Sequence, residues 1–340
     1  MNAKFAVVPT LVVGALVVPA LAKDWVFVTT NWNENGNEKV LVIDPENGQT
    51  RTLWNTGTEL DAVVSPDATR LYVTAHELAV IDTATGAVLN RTEVPQLIRW
   101  IFPSTPGMAI SSEGGWLYLL KANYSVGSSE YSLLRFDTRE NRFISEEQPI
   151  SNCPRPFVLP IQGDGKVLVL CSGPVETHSP DSSFVLRHAN CQNFAIGRGI
   201  SAQSIYLAGL NGRIQAVDVG THEVVQTSND APLRNKRFMP SSDTISPDGR
   251  IWYLPIKTQN VSEQGIDQIL VFDTQSMRTA GVITPPGPFW GLALSSDGRQ
   301  LYASQEDLQS LMVIDTETHR CVRVIRLGAK PSIVFAVKAP

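Results

Sequence analysis

The chain has 340 residues, 43% of them hydrophobic and 18% charged, with 28 Lys and Arg against 33 Asp and Glu and a formal charge of −5. That acidity argues against nucleic acid, whose phosphates need a basic field, and no polybasic patch points to a membrane surface. Four cysteines lack any C-x-x-C spacing and five scattered histidines lack H-x-x-x-H or H-E-x-x-H spacing, so neither a metal nor another cofactor is expected.

The first element is a secretory signal over residues 1–22. Lys4 supplies a minimal positive region, Phe5 to Val18 is apolar, and Ala20-Leu21-Ala22 fits a small-x-small cleavage site. The apolar stretch is shorter than the roughly 20 residues that span a bilayer. A secreted or periplasmic chain of residues 23–340 is expected, as one domain carrying a net charge of −6 once Lys4 is lost.

From there a short strand motif recurs: a basic or turn residue, an aliphatic, an aromatic, then apolar or small residues. Its aromatic slot falls on Phe27, Tyr72, Tyr118, Tyr206, Trp252 and Tyr302, with Leu168 standing in once, in steps of 45, 46, 50, 38, 46 and 50 residues. Such a period marks a radial or stacked array. Each unit reads as four short strands, a to d. In the second unit these are Asp61 to Val64, Leu71 to Thr74, Leu78 to Ile81 and Ala87 to Thr92.

Between strands a and b lie turns such as Ser65-Pro66-Asp67-Ala68, Ser246-Pro247-Asp248-Gly249 and Ser295-Ser296-Asp297-Gly298, where Ser and Asp bond their own backbone. Strand c ends on Asp44, Asp82, Asp137, Asp218, Asp273 and Asp315, read as Asx-type turn residues rather than catalytic acids. In the fourth unit His188 takes that place, after a strand c at Phe184 to Leu186. In the fifth, no strand a is evident between Asn193 and Gln203. Runs such as Val40 to Ile43 and Leu311 to Ile314 are apolar on both faces, as in sheets packed between two neighbours. The first unit lacks a strand a, and Ser332 to Val337 is left over at the C-terminus. The expected fold is therefore an all-β, seven-bladed β-propeller of four-stranded antiparallel blades, closed by the C-terminal strand joining the first blade.

Leu71-Tyr72-Val73-Thr74, the Ser-Pro-Asp turns and the strand c endings such as Ile81-Asp82-Thr83 resemble the YVTN-type propellers. That superfamily includes the β or heavy chains of quinoprotein amine dehydrogenases and a lactonase branch. The resemblance covers residues 23–340 and implies architecture far more than activity.

In such a ring the a–b and c–d connections leave on one face and are short. The b–c and d–a connections leave on the other, and among them Asn31 to Glu38, Ala122 to Ser132, Ser172 to Ser183 and Pro95 to Pro106 read as long loops. Binding residues concentrate on such loops. Heads of strand a (Leu60, Gly107, Phe157, Ser241, Trp290) lie there with Arg99, Trp100, Arg155, Arg234, Lys236 and Arg237. Cations beside aromatics suit an anionic or flat ligand, or else simply pair with acids on adjoining loops.

Two functions follow as expectations. The first is a non-catalytic binding or scaffold module engaging a protein partner or a small anionic or aromatic ligand, as the resemblance to amine dehydrogenase propeller chains implies. In that reading Arg99, Trp100, Arg155, Phe157, Arg234, Arg237 and Trp290 carry the binding. The second is a lactonase or hydrolase acting at the channel mouth through Asp61, His76 and His178. Strand placement puts Cys153 and Cys171 at the same end of one unit, which favours that disulfide; Cys191 and Cys321 fall at the other end of distant units.

Overall fold

A computed structural model describes residues 24–30, 38–55, 61–74, 77–94, 107–125, 128–144, 148–150, 157–160, 167–170, 175–178, 183–186, 199–200, 204–208, 213–218, 221, 223–228, 237–238, 243–257 and 268–338. Among the described residues all regular elements are strands, and they assort into seven antiparallel sheets. In chain order the first holds β1 (Asp24–Thr30), β2 (Lys39–Ile43) and β3 (Thr50–Asn55). The second holds β4 (Asp61–Val64), β5 (Arg70–Thr74), β6 (Glu77–Asp82) and β7 (Val88–Glu93). The third holds β8 (Met108–Ile110), β9 (Trp116–Ser125), β10 (Ser128–Asp137) and an outer strand split into β11 (Arg142–Phe143) and β12 (Gln148–Ile150).

The fourth holds β13 (Phe157–Pro160), β14 (Val167–Leu170), β15 (Val175–His178) and β16 (Ser183–Leu186). The fifth holds β17 (Gly199–Ile200), β18 (Ser204–Ala208), β19 (Ile214–Asp218) and β20 (Val224–Ser228). The sixth has an inner strand split into β21 (Arg237–Phe238) and β22 (Thr244–Ile245), then β23 (Ile251–Lys257), β24 (Gln268–Asp273) and β25 (Arg278–Ile283). The seventh holds β26 (Leu292–Leu294), β27 (Gln300–Gln305), β28 (Ser310–Asp315) and β29 (Arg320–Arg326). The last strand, β30 (Pro331–Lys338), returns to pair with β1, with Phe27 opposite Phe335 and Asp24 opposite Lys338.

Four readings of the sequence need correction. Strand c of the fourth unit is β15, and Phe184 to Leu186 belongs to the outer strand β16; Val175-Glu176-Thr177-His178 lacks the apolar run that marks the other strands c. The fifth unit does have a strand a, but only two residues of it, Gly199 and Ile200. Ala122 to Ser132 is no loop: β9 and β10 form a ten-pair hairpin up to Ser125 opposite Ser128. Finally, the aromatic slot of the sixth unit is Tyr253 rather than Trp252. Tyr253 and Tyr302 each stand seven residues after the turn serine, at Ser246 and Ser295, and both pack toward the following sheet, whereas Trp252 packs back onto the fifth. Two adjacent aromatics hid this one-residue shift, which exchanges the faces of a strand.

Burial explains the sheet order. Phe27, Val42 and Leu71 share one core between the first and second sheets, Tyr72, Leu119 and Phe136 another between the second and third, and Tyr118 and Val169 one between the third and fourth. Tyr206 and Trp252 join the fifth to the sixth, Tyr253 and Met312 the sixth to the seventh, and Tyr302, Val28 and Val334 the seventh to the first. The fourth-to-fifth interface lies outside the described residues. At about 25 cal/mol per Å² of apolar surface, these inter-sheet layers are the main stabilising term.

Short polar bonds fix the tight-turn face. Ser65, Ser246 and Ser295 hydroxyls donate to Asp67, Asp248 and Asp297 at 2.5, 2.5 and 2.7 Å, while accepting from the amides of Arg70, Ile251 and Gln300. The threonine after four of the strand c aspartates adds a link the sequence does not announce: Thr83, Thr138, Thr274 and Thr316 hydroxyls donate to carbonyls of the a–b turn at Ala68, Gly114, Gly249 and Gly298, at 2.5 to 2.9 Å.

The outer strands carry a recurring β-bulge. In β7, β20, β25 and β29 one extra residue, respectively Leu89, Val225, Ala280 and Val322, interrupts the ladder beside the same position of strand c, two residues before its terminal aspartate. A bulge re-aims the residues after it. Asn90 then donates to Asn141 O of the third sheet at 3.3 Å, and Arg323 to Pro45 O of the first at 2.9 Å. In β25 the equivalent residue is Gly281, where a Cβ would lie 3.3 Å from His319 Cε1, so the neighbouring sheet's turn fills the space instead.

Candidate binding face

Strand direction places the heads of strand a on the face of the b–c and d–a connections. The best-defined site residue there is Trp290, half-buried just ahead of β26, its amide donating to Ser304 O at 3.0 Å. Behind it Gly291 N donates to Ser304 Oγ at 2.7 Å, and that hydroxyl donates to Ser332 O at 2.7 Å. A Cβ on Gly291 would fall 2.3 Å from Ser332 O, so only glycine allows β26 this close to β30. Trp290 is thus carried on a rigid seam between the first and seventh sheets.

Phe157 opens β13 opposite Leu170. Arg237 lies in β21, and its register partner is Lys257 at the end of β23. Lys257 was not singled out in the sequence, because only the register reveals it. Arg99, Trp100, Arg155, Arg234, Lys236, Leu60 and Ser241 lie outside the described residues, as do Cys153, Cys171, Cys191 and His188.

Of the hydrolase reading, Asp61 and His178 lie in different sheets and at opposite ends of their strands. Asp61 heads β4 on the loop-bearing face, opposite Thr74, and its Oδ1 accepts from Ala62 N at 3.0 Å. The register puts His178 opposite Val167, at the tight-turn end, because β15 is strand c; this corrects its expected place on the loop-bearing face. His76 lies outside the described residues.

The strand c aspartates serve the turns. Asp82 Oδ1 accepts from the Thr85 amide and hydroxyl at 2.7 and 2.6 Å, Asp315 Oδ1 from both groups of Thr318 at 2.7 Å, and Asp273 Oδ1 from Ser276 N at 2.7 Å. Asp44, Asp137 and Asp218 accept in the same way from residues two or three positions on. The Thr85 hydroxyl, the Ser276 amide and the Thr318 hydroxyl each lead in holding Asp82, Asp273 and Asp315 below the usual carboxylate range. A carboxylate committed in this way stays ionised and is a poor proton donor or acceptor near neutrality.

The same architecture recurs in solved structures. A protein of unknown function from Desulfotomaculum acetoxidans superimposes with a TM-score of 0.64 at 14% identity, over 93% of this chain and 99% of that one. A 6-phosphogluconolactonase candidate from Bacteroides fragilis gives 0.61 at 14%, over 93% and 98%. Hydrazine synthase from Kuenenia stuttgartiensis gives 0.59 at 16%, over 81% and 88%. The chain is a β-propeller. No protein-family model matches it, and no curated protein is similar to it in sequence. At these identities the likeness is one of fold, and the propellers concerned have mixed roles.

Proposed function

We propose that the chain is a secreted or periplasmic propeller of the YVTN type, a closed ring of seven blades that acts as a non-catalytic binding or scaffold module. Its ligand is a protein partner or a small anionic or aromatic group held on the loop-bearing face. The observation that carries this reading is the register that sets Arg237 opposite Lys257 at the edge of that face, two residue types that suit a ligand of negative charge. Trp290 on its rigid seam offers a flat apolar surface on the same face.

Benzoate, both anionic and flat, is a suitable probe. Thermal denaturation with millimolar benzoate should show a rise in Tm that Arg237→Ala and Trp290→Ala each reduce. An unchanged Tm for the wild type, or equal shifts in the variants, would contradict the reading. The lactonase alternative, for which the Bacteroides fragilis likeness is the motive, predicts lactone turnover lost in Asp61→Asn and His76→Ala.

A further inference from the structure

The outer strands of the fifth, sixth and seventh sheets carry exposed valines, and those of the sixth and seventh add a concentration of arginine. β20, β25 and β29 contain no Asp or Glu, yet β25 and β29 hold four arginines, Arg278, Arg320, Arg323 and Arg326, in a chain of net charge −5. Arg323 is committed to the Pro45 carbonyl. Arg278, Arg320 and Arg326 are exposed and make no ion pair among the described residues. Between them stand aliphatic side chains in water: Val225 at 60% exposure, Val322 at 58%, Val324 at 51% and Val282 at 41%.

The bulges produce this arrangement. Val225 and Val322 are the extra residues of their strands, turned out where an uninterrupted ladder would have carried a paired residue. The sheets are consecutive in the ring, since the fifth shares its core with the sixth and the sixth with the seventh. The outer rim therefore presents a belt of exposed valines on three consecutive sheets, flanked in the sixth and seventh by guanidinium groups, of which Arg278 and Arg320 stand opposite Asp273 and Asp315 in the ladder. Exposed aliphatic surface has a cost, and where it is contiguous and rimmed by charge it marks contact with another molecule.

We infer that this belt docks an acidic, aliphatic-bearing extended segment of another protein, on a surface separate from the loop-bearing face. Carboxylates of the segment would answer Arg278, Arg320 and Arg326, and its apolar residues would cover the valines. Addition of a strand to the sheet edge is not the mode, because each bulge breaks the run of free backbone groups that strand addition uses. A lipid surface fits less well: the three strands hold no Trp, Tyr or Phe, the residues that seat proteins at a bilayer interface.

The test uses the full-length mature chain and a fluorescent peptide of alternating Glu and Leu as probe, with binding read by anisotropy at about 20 and about 500 mM salt. Binding should weaken steeply with salt. It should weaken about tenfold in Arg320→Glu/Arg326→Glu, fall in Val322→Ser/Val324→Ser, and stay unchanged in Leu89→Ser, an exposed bulge residue on the second sheet. Unchanged thermal melting checks that the variants fold, and the salt dependence of the wild type stands independently of them. The inference fails if the probe does not bind below about 1 mM, if charge reversal leaves binding intact, if Leu89→Ser weakens it equally, or if phosphatidylglycerol vesicles bind the belt in preference to the peptide.

Discussion

The carboxylate of Asp24 accepts hydrogen bonds from the Ser296 amide at 3.0 Å and the Ser296 hydroxyl at 2.6 Å, joining residues 272 apart in the chain. Asp24 opens β1 and Ser296 lies in the a–b turn of the seventh sheet, so the pair locks the seam where the two ends of the chain meet. Because Asp24 is only 7% exposed, its loss leaves two donors without a partner. Asp24→Ala should cost about 2 kcal/mol in urea denaturation, and Ser296→Ala roughly half of that, since it removes one bond of two. Equal stability of Asp24→Ala and the wild type would show that the seam does not rely on this contact.

Gly291 should tolerate no side chain. Gly291→Ala pushes a methyl group into Ser332 O, forcing β26 and β30 apart at about 1–3 kcal/mol. It should also loosen Trp290, seen as a red-shifted and more readily quenched indole fluorescence. A variant that melts and fluoresces as the wild type does would place the close approach of the two strands in doubt.

The threonines tying the c–d hairpins to the a–b turns contribute through their hydroxyls as well as their backbone amides. Thr274→Val and Thr316→Val keep the shape of the side chain but leave the Gly249 and Gly298 carbonyls without their hydroxyl donors. Each should lower stability by about 1 kcal/mol, and their effects should add, since they act in different turns. Denaturant midpoints for the two single variants and the double variant measure this directly.

Much of the architecture was legible because its determinants are local. Turn serines and aspartates bond within a few residues, so Ser65-Pro66-Asp67 and Asp82 announce themselves in the sequence. The clip from Thr83 to Ala68 O spans 15 residues, and only the folded sheet brings them together. β15 escaped notice because Glu176, Thr177 and His178 break the apolar run, and β17 because two residues make no pattern. The site was less legible still. Arg237 and Trp290 could be selected by composition, but Lys257 becomes a partner of Arg237 only through strand register. His178 was misplaced because strand c was assigned one strand too late.

Acid should weaken the fold through its turns. Asp273 and Asp315 titrate below the usual carboxylate range in the folded chain, held there first by the Ser276 amide and the Thr318 hydroxyl. The unfolded chain, titrating near pH 4, binds more protons in this window, so stability rises with pH across it. The contribution is complete above the unfolded pKa and is lost as pH falls through the depressed folded values. Tm should therefore drop from about pH 5 to about pH 3, and Asp273→Asn/Asp315→Asn should flatten that slope. Identical slopes would mean that other groups govern acid unfolding.

The pairing of β30 with β1 joins the first sheet to the seventh and carries the seam that holds Trp290. Deleting residues 331–340 and following denaturation by circular dichroism and tyrosine and tryptophan fluorescence tests it most directly. Loss of a single cooperative transition is the expected result, because the first sheet loses its inner strand and the seam its Ser332 and Val334 contacts. A truncated chain that melts cooperatively at the wild-type temperature would contradict the account.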